Sequence, residues 1–380
     1  MFNVLVTGNW MNDGIADHMV EPFRYYKGKF SSQCKTNIEM RPANSLDELS
    51  SILKTTHADV AFITTSWKNS ADETIAFFKD VHGWKNNLKI VYLDYFDQSS
   101  SPFFGILPYV DCYVKKQLYK NFADYRKNYI GGYVVTDFIS RHYNLPAKGW
   151  NFGSYLPEDQ EDKLFPGWNV ATHRQIRRSI TYAKWKRLLP FNNIRKDIDI
   201  HCRVSLGDED KSWYYHRHRL ESLKALEPLK QHYNVVTSLN DDTMLGARKF
   251  NREIARSHIG FSPFGYGEVT YRDYTCIAYG TLLVKPDMSQ LVTYPDIFHD
   301  RETYVSVKWD LSDVEEKCSY YLEHPEEAKT IIDNARDTFE DYFKQKRDYH
   351  QIRRILAKVL PEFSEINSHL KTIGDSPVKS

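Results

Sequence analysis

Short runs of β-branched and aromatic residues recur along this chain, each followed by a stretch with helical spacing, and that alternation admits few folds. FNVLVTG at residue 2, DVAFITTS at 59 and LKIVYLDY at 88 are too short and too β-branched to be helices. Between the first two, NSLDELSSILKTT places Leu46, Leu49, Ile52 and Leu53 on one helical face, with Ser45 as N-cap. Strands separated by helices read as a parallel sheet with helices on its faces. YVDCYVKKQL closes this first series. A second one follows, with DIDIHCRVS at 197, YNVVTSL at 233, HIGFSPF at 258, GTLLVKP at 280 and TYVSVKW at 303. Two series mean two sheets, and the 380 residues give each an ordinary domain's length.

The chain is therefore expected to be an α/β protein of two tandem Rossmann-like domains, with a cleft between them and a helical C-terminal segment. Residues 1–190 form the first domain. They include a connector from about Pro146 to Pro190, rich in Pro, Gly, Trp and Asn early and basic and helical from Ala171 to Leu188. Residues 191–362 form the second domain, almost wholly helical from Asp313 onward. Residues 363–380 lose their periodicity and are expected to fray.

Charge and cysteine usage exclude several classes of function. Lys and Arg total 51 against 50 Asp and Glu, so the basic excess of a nucleic-acid binder is missing. The five cysteines are odd in number, scattered and free of any CxxC spacing. They suggest neither a disulfide framework nor a zinc site, and fit a reducing cytoplasm. The opening MFNVLVTG reads as a strand rather than a signal peptide, and no run approaches the ~18 apolar residues of a membrane span, so a soluble protein is expected. The 26 Tyr and 21 Phe suit either a sugar-contacting cleft or two well-filled cores.

The stretch with the most chemistry is HIGFSPFGYGEVTYRDYTCIAYGTLLVKPDMSQL, His258 to Leu291. In open α/β sheets ligands bind beyond the carboxyl ends of strands, and this stretch supplies such a loop. Gly265 and Gly267 would let the backbone approach a phosphate, the next helix N-terminus would offer free N–H groups, and Arg272 could fork onto phosphate oxygens. Glu268 could accept from sugar or ribose hydroxyls. A solvated turn with a Glu268–Arg272 ion pair would use the same residues.

A glycine-rich turn, then Arg272, then Ala278 and Gly280 before the strand TLLVKPD resembles the donor-binding segment of GT-B nucleotide-sugar glycosyltransferases. The likeness is to the bacterial family-1-like enzymes of polysaccharide clusters, and more loosely to exostosin-type and fucosyltransferase donor domains. It covers roughly residues 195 to 345. The resemblance implies transfer of a sugar from a nucleotide-sugar donor to a glycan or glycolipid acceptor, without metal or other cofactor. It assigns donor binding to Arg203, Gly265, Tyr266, Gly267, Tyr271, Lys285 and Asp287, and catalytic roles to Glu268 and Arg272. The glutamate usual two or three residues after the arginine is replaced by Asp273, Tyr274, Thr275 and Cys276, leaving Asp273 or Glu268 for the ribose. His201 and Arg203 match the start of a fucosyltransferase H-x-R-R motif, with Val204 in place of the second arginine.

Beside Arg203, the basic helix start at His216, Arg217 and Arg219 could add positive charge or face solvent. Asp208-Glu209-Asp210 matches a metal-holding D-x-D, a reading that two tandem Rossmann-like halves argue against. In the first domain the loop after the first strand brings Asp13, Asp17 and His18 towards the cleft, with Asp13 preferred as general base on an acceptor hydroxyl. Asp94 and Asp97 are the alternatives. The partners expected are a nucleotide sugar and its acceptor, with no nucleic acid, in a cytoplasmic protein that could touch the inner membrane. Rival readings are a non-catalytic sugar or nucleotide-binding module, a sugar-nucleotide epimerase, and a phosphorylase with pyridoxal phosphate on Lys285.

Overall fold

The computed structural model describes residues 1–84, 87–149, 151–169, 176–178, 181, 195–210, 213–238 and 245–367. Most of the helix expected from Ala171 to Leu188 and the tail from 368 lie outside the described residues. The first domain holds a six-stranded parallel sheet in the order β2-β1-β3-β4-β5-β7. Its strands are β1 (Phe2–Gly8), β2 (Thr36–Pro42), β3 (Val60–Thr64), β4 (Lys89–Asp94), β5 (Cys112–Lys115) and β7 (Leu164–Pro166). The second domain has a five-stranded parallel sheet, β13-β11-β10-β8-β9. These are β8 (Ile198–Cys202), β9 (Val235–Thr237), β10 (Ser257–Phe261), β11 (Leu282–Pro286) and β13 (Val305–Val307). All five residues of β3 and of β11 are buried, as strands covered on both faces must be.

Two helices begin at side-chain caps, one of them expected. Asp13 caps α1 (Gly14–Cys34), accepting from Ile15 and Ala16 N–H. Ser45 caps α2 (Leu46–Thr55), as its position predicts. α3 (Ala71–Trp84) and α4 (Val134–Tyr143) follow in the first domain, and the second domain adds α5 (Trp213–Ala225), α6 (Ala247–Ala255) and α7 (Tyr271–Tyr279). α8 (Val314–Glu323), α9 (Pro325–Lys344), α10 (Arg347–Val359) and α11 (Pro361–Ile366) follow.

Two segments lie elsewhere than the sequence suggests. Residues 164–166, within the expected connector, form β7 on the edge of the first sheet, and Trp168 behind them packs edge-on against Phe23. The helices 347–366, grouped by sequence with the second domain, pack on the first. Tyr349 sits against Tyr26 and Phe30, and the buried Asp348 carboxylate accepts from the Tyr26 hydroxyl and from Arg177. Phe363, at the start of the stretch expected to fray, is buried in the same cluster. The reason is α1, whose aromatic face (Phe23, Tyr26, Phe30) needs a cover that the first domain's own helices do not supply.

The domains are in direct contact. The antiparallel pair β6 (Gln117–Tyr119) and β12 (Leu291–Thr293) ties one to the other, and a single apolar cluster runs from Leu5 and Tyr133 of the first into Tyr214, Phe264 and Tyr274 of the second.

Candidate functional site

In the second sheet β8 leads outward to β9 on one side and, through β10, to β11 on the other, so the chain reverses direction between β8 and β10. A crevice opens beyond the carboxyl ends of two strands at such a point. Here Arg203 follows β8, the loop 262–270 follows β10, Arg272 lies in the first turn of α7, and Arg219 lies on α5.

Three guanidinium groups meet there. Arg203 spends its charge on Glu253, at 2.9 Å. Arg272 donates to the Arg203 carbonyl, and Arg219 donates to the carbonyls of Phe264 (3.1 Å) and Ser205. Among the described residues neither Arg219 nor Arg272 has a carboxylate partner, and both side chains are half-buried. Burial, then the Arg272 charge, lowers the Arg219 pKa to about 10. The neighbouring imidazoles stay neutral. Burial, reinforced by Arg272 and Arg203, lowers His201 to about 3, and burial with Arg219 does the same to His218.

The glycine-rich turn has a different use from the one its sequence suggests. A Cβ on Gly265 would lie 2.7 Å from the Arg219 guanidinium, so this glycine makes room for the arginine. A Cβ on Gly267 would lie 1.8 Å from the Asp97 carbonyl oxygen, so this glycine lets the second domain close on the first. The α7 N-terminus is capped from within: Thr270 and Asp273 exchange hydrogen bonds in a capping box. The box takes up the N–H groups of Thr270 and Asp273 at that end.

Glu268 and Lys285 belong to the junction rather than to an open pocket. Glu268 is fully buried and accepts from both the N–H and the hydroxyl of Ser99 in the first domain. Burial pushes its pKa up, against the hydrogen bonds from Ser99 and Tyr133. Lys285, also fully buried, donates to the Glu268 carbonyl (2.6 Å) and pairs with Asp273 at 2.7 Å. Burial lowers its pKa while Asp273 raises it. Asp273 accepts further from Ser262 and Thr270, which leaves its carboxylate no place for a ribose. A pyridoxal or donor contact at Lys285 would first have to break this pair.

The remaining expected residues fall around this centre. The Tyr266 ring is half exposed, and its carbonyl accepts from Tyr214 at 2.8 Å. Tyr271 is half-buried in the first turn of α7. Asp287 caps its own turn at Ser289. Asp208 accepts from the Asp210 N–H, and Asp210 pairs with Lys148 at the surface. Asp13 is a helix cap whose two backbone bonds both fall on Oδ1, and Asp17 pairs with Arg24. Asp94 is buried with Lys115 at 3.1 Å, and Asp97 pairs with Lys116.

Two features escape the sequence reading. Arg219 is visible there only as one of several basic residues, although its place four residues after Tyr215, over whose ring it stacks, turns it inward. Lys115 stands inside the apolar run CYVKK, a signal that a buried carboxylate must face it.

Residues 217–354 match the family described as glycosyl transferase-like. The match takes in Arg219, the glycine turn, Arg272 and Lys285. The matched segment covers most of the second of the two parallel-sheet domains and runs on into the helix at 347–359 that packs on the first. Among solved structures it is similar to a glycosyltransferase from Rickettsia africae ESF-5, at 13% identity over 98% of this chain and 99% of that one, with a TM-score of 0.46. An alpha-glucosyltransferase solved with UDP and a 13-mer DNA containing an HMU base is 9% identical over 92% and 99%, with a TM-score of 0.45. The UDP-GlcNAc 2-epimerase from Neisseria meningitidis bound to UDP-GlcNAc is 10% identical over 91% and 100%, with a TM-score of 0.42. No curated protein matches the sequence.

Proposed function

We propose that the protein transfers a sugar from a nucleotide-sugar donor to a glycan or glycolipid acceptor, in the synthesis of a surface polysaccharide. The observation that carries this reading is the pair Arg219 and Arg272, two guanidinium groups at the β8/β10 crossover held by carbonyls and aromatic rings, with no carboxylate partner among the described residues. As the glycosidic bond breaks, negative charge builds on the departing phosphate, and donors fixed beforehand at that point stabilise the transition state most. The carbonyl contacts hold the guanidinium planes in place without neutralising them. His201 and His218, being neutral, do not compete for the phosphate.

Asp13, in the loop after β1, is the proposed base. The five buried, unpaired cysteines support a reducing, cytoplasmic setting. Among the described residues no helix is long and apolar enough to cross a membrane.

The test is release of free nucleotide from UDP-, GDP-, CMP- and dTDP-sugars, with and without added acceptor and with and without EDTA. Acceptor-dependent release that survives EDTA is the expected result. Conversion of the sugar nucleotide without release would replace transfer by epimerisation, and release that requires inorganic phosphate would replace it by phosphorolysis.

A further inference from the structure

Three consecutive residues of the first domain, Asp97, Gln98 and Ser99 in the loop after β4, each meet a part of the second domain that places Arg219. The Asp97 carbonyl packs on Gly267 so closely that no Cβ fits between them. The Gln98 amide donates to the Tyr214 hydroxyl at 3.4 Å, and that hydroxyl donates in turn to the Tyr266 carbonyl at 2.8 Å. Ser99 donates its N–H (3.2 Å) and its hydroxyl to the Glu268 carboxylate. Tyr214 stands on α5 five residues before Arg219, and the turn at 264–268 supplies the Phe264 carbonyl that accepts from Arg219 Nε. The loop thus grips both the helix that carries this guanidinium and the turn that orients it.

The grip is stiff on both sides. Gln117 donates to the Asp97 carbonyl, Lys116 pairs with the Asp97 carboxylate, and the Tyr125 hydroxyl donates to the Ser99 carbonyl at 3.1 Å. Across the junction the Gly265 N–H closes on the Gly267 carbonyl at 3.0 Å, which ties the Glu268 end of the turn to the Phe264 end. Ser99, Tyr214 and Glu268 are fully buried, so a bond lost among them leaves a partner unsatisfied until the turn shifts. A shift of about 1 Å at a fixed donor can cost as much as 10²-fold.

We propose that Ser99, with Asp97 and Gln98, positions Arg219 for the phosphate from across the domain junction, without touching the ligand. The inference rests on the donor reading of Arg219 given above, and adds that binding at the second sheet's mouth depends on three residues of the first domain.

Equilibrium titration with UDP, GDP, CMP and dTDP tests it on Ser99→Ala, on Tyr214→Phe and on each combined with Arg219→Ala, against the parent and Arg219→Ala alone. The nucleotide that binds the parent should bind each single variant about tenfold more weakly, at a temperature where circular dichroism shows both folded. Tyr214→Phe keeps its ring in place and carries the test if Ser99→Ala does not fold. Added to Arg219→Ala, neither change should weaken binding further, because the residue it positions is gone. A merely structural role would lower the melting temperature and leave the folded protein's affinity alone. Parental affinity in the folded single variants, or a full tenfold loss in the Arg219→Ala background, would overturn this inference and leave the donor reading standing. No nucleotide binding by the parent, or parental affinity in Arg219→Ala, would overturn both.

Discussion

The two sheets end in opposite electrostatics. Beyond the first, charges near the mouth are paired, Asp94 with Lys115, Asp97 with Lys116 and Arg126 with Glu161. Beyond the second, Arg219 and Arg272 lean on carbonyls and, among the described residues, meet no carboxylate. A fold gains nothing from an unanswered buried cation, whereas an anionic ligand does. The difference is what singles out the second mouth for the proposed phosphate contact.

The largest expected effect is on the compensated side. Asp94→Ala leaves the Lys115 ammonium buried without its partner and should cost about 3–5 kcal/mol of stability, read as a fall in denaturation midpoint. A variant as stable as the parent would show that the first mouth is no more dependent on its ion pairs than the second.

Acid should act on the other side. His201 and His218 titrate near 3 in the folded chain against an ordinary 6.5, so the unfolded chain binds the extra protons between those values. Their contribution is complete above pH 6.5 and is lost as pH falls towards 3. Melting temperature should therefore drop across that window, and less steeply in His218→Phe, which keeps the stack on Phe264 without the titrating group.

A smaller loss is expected at the junction. Gly267→Ala puts a methyl group into the Asp97 carbonyl and should cost about 1–3 kcal/mol as the domains shift apart. Unchanged stability and nucleotide affinity would mean that the contact yields without consequence.

Asp13→Asn should have the least effect on the fold, under ~1 kcal/mol, since asparagine also caps helices. If Asp13 is the base, turnover falls by ~10² to 10⁴ while nucleotide affinity holds. Near-parental turnover would leave Asp13 a helix cap only.

Much of the architecture is legible in the sequence because buried parallel strands are apolar throughout, as in VAFIT and LLVKP. β2 is not, since TNIEMRP is an edge strand with polar residues on its open face. β7 hides in a three-residue run, and the crossing of α10 onto α1 depends on contacts over 300 residues away in sequence. At the site, Arg272 and Arg203 are legible from their place after strands. The roles of Gly267, Glu268 and Lys285 are not, because one glycine, one carboxylate and one lysine serve a domain contact as readily as a ligand. Only the position of Asp97 and Ser99 across the junction decides between the two.

Calorimetric titration of UDP, GDP, CMP and dTDP into the parent protein and into Arg219→Ala and Arg272→Ala tests the central claim most directly. One of these nucleotides should bind the parent, and each arginine variant should lose about 10²-fold in affinity, roughly 2.7 kcal/mol, with its melting temperature unchanged. Parental affinity in both variants, or a loss of affinity matched by a loss of fold, would contradict a phosphate site at the β8/β10 crossover.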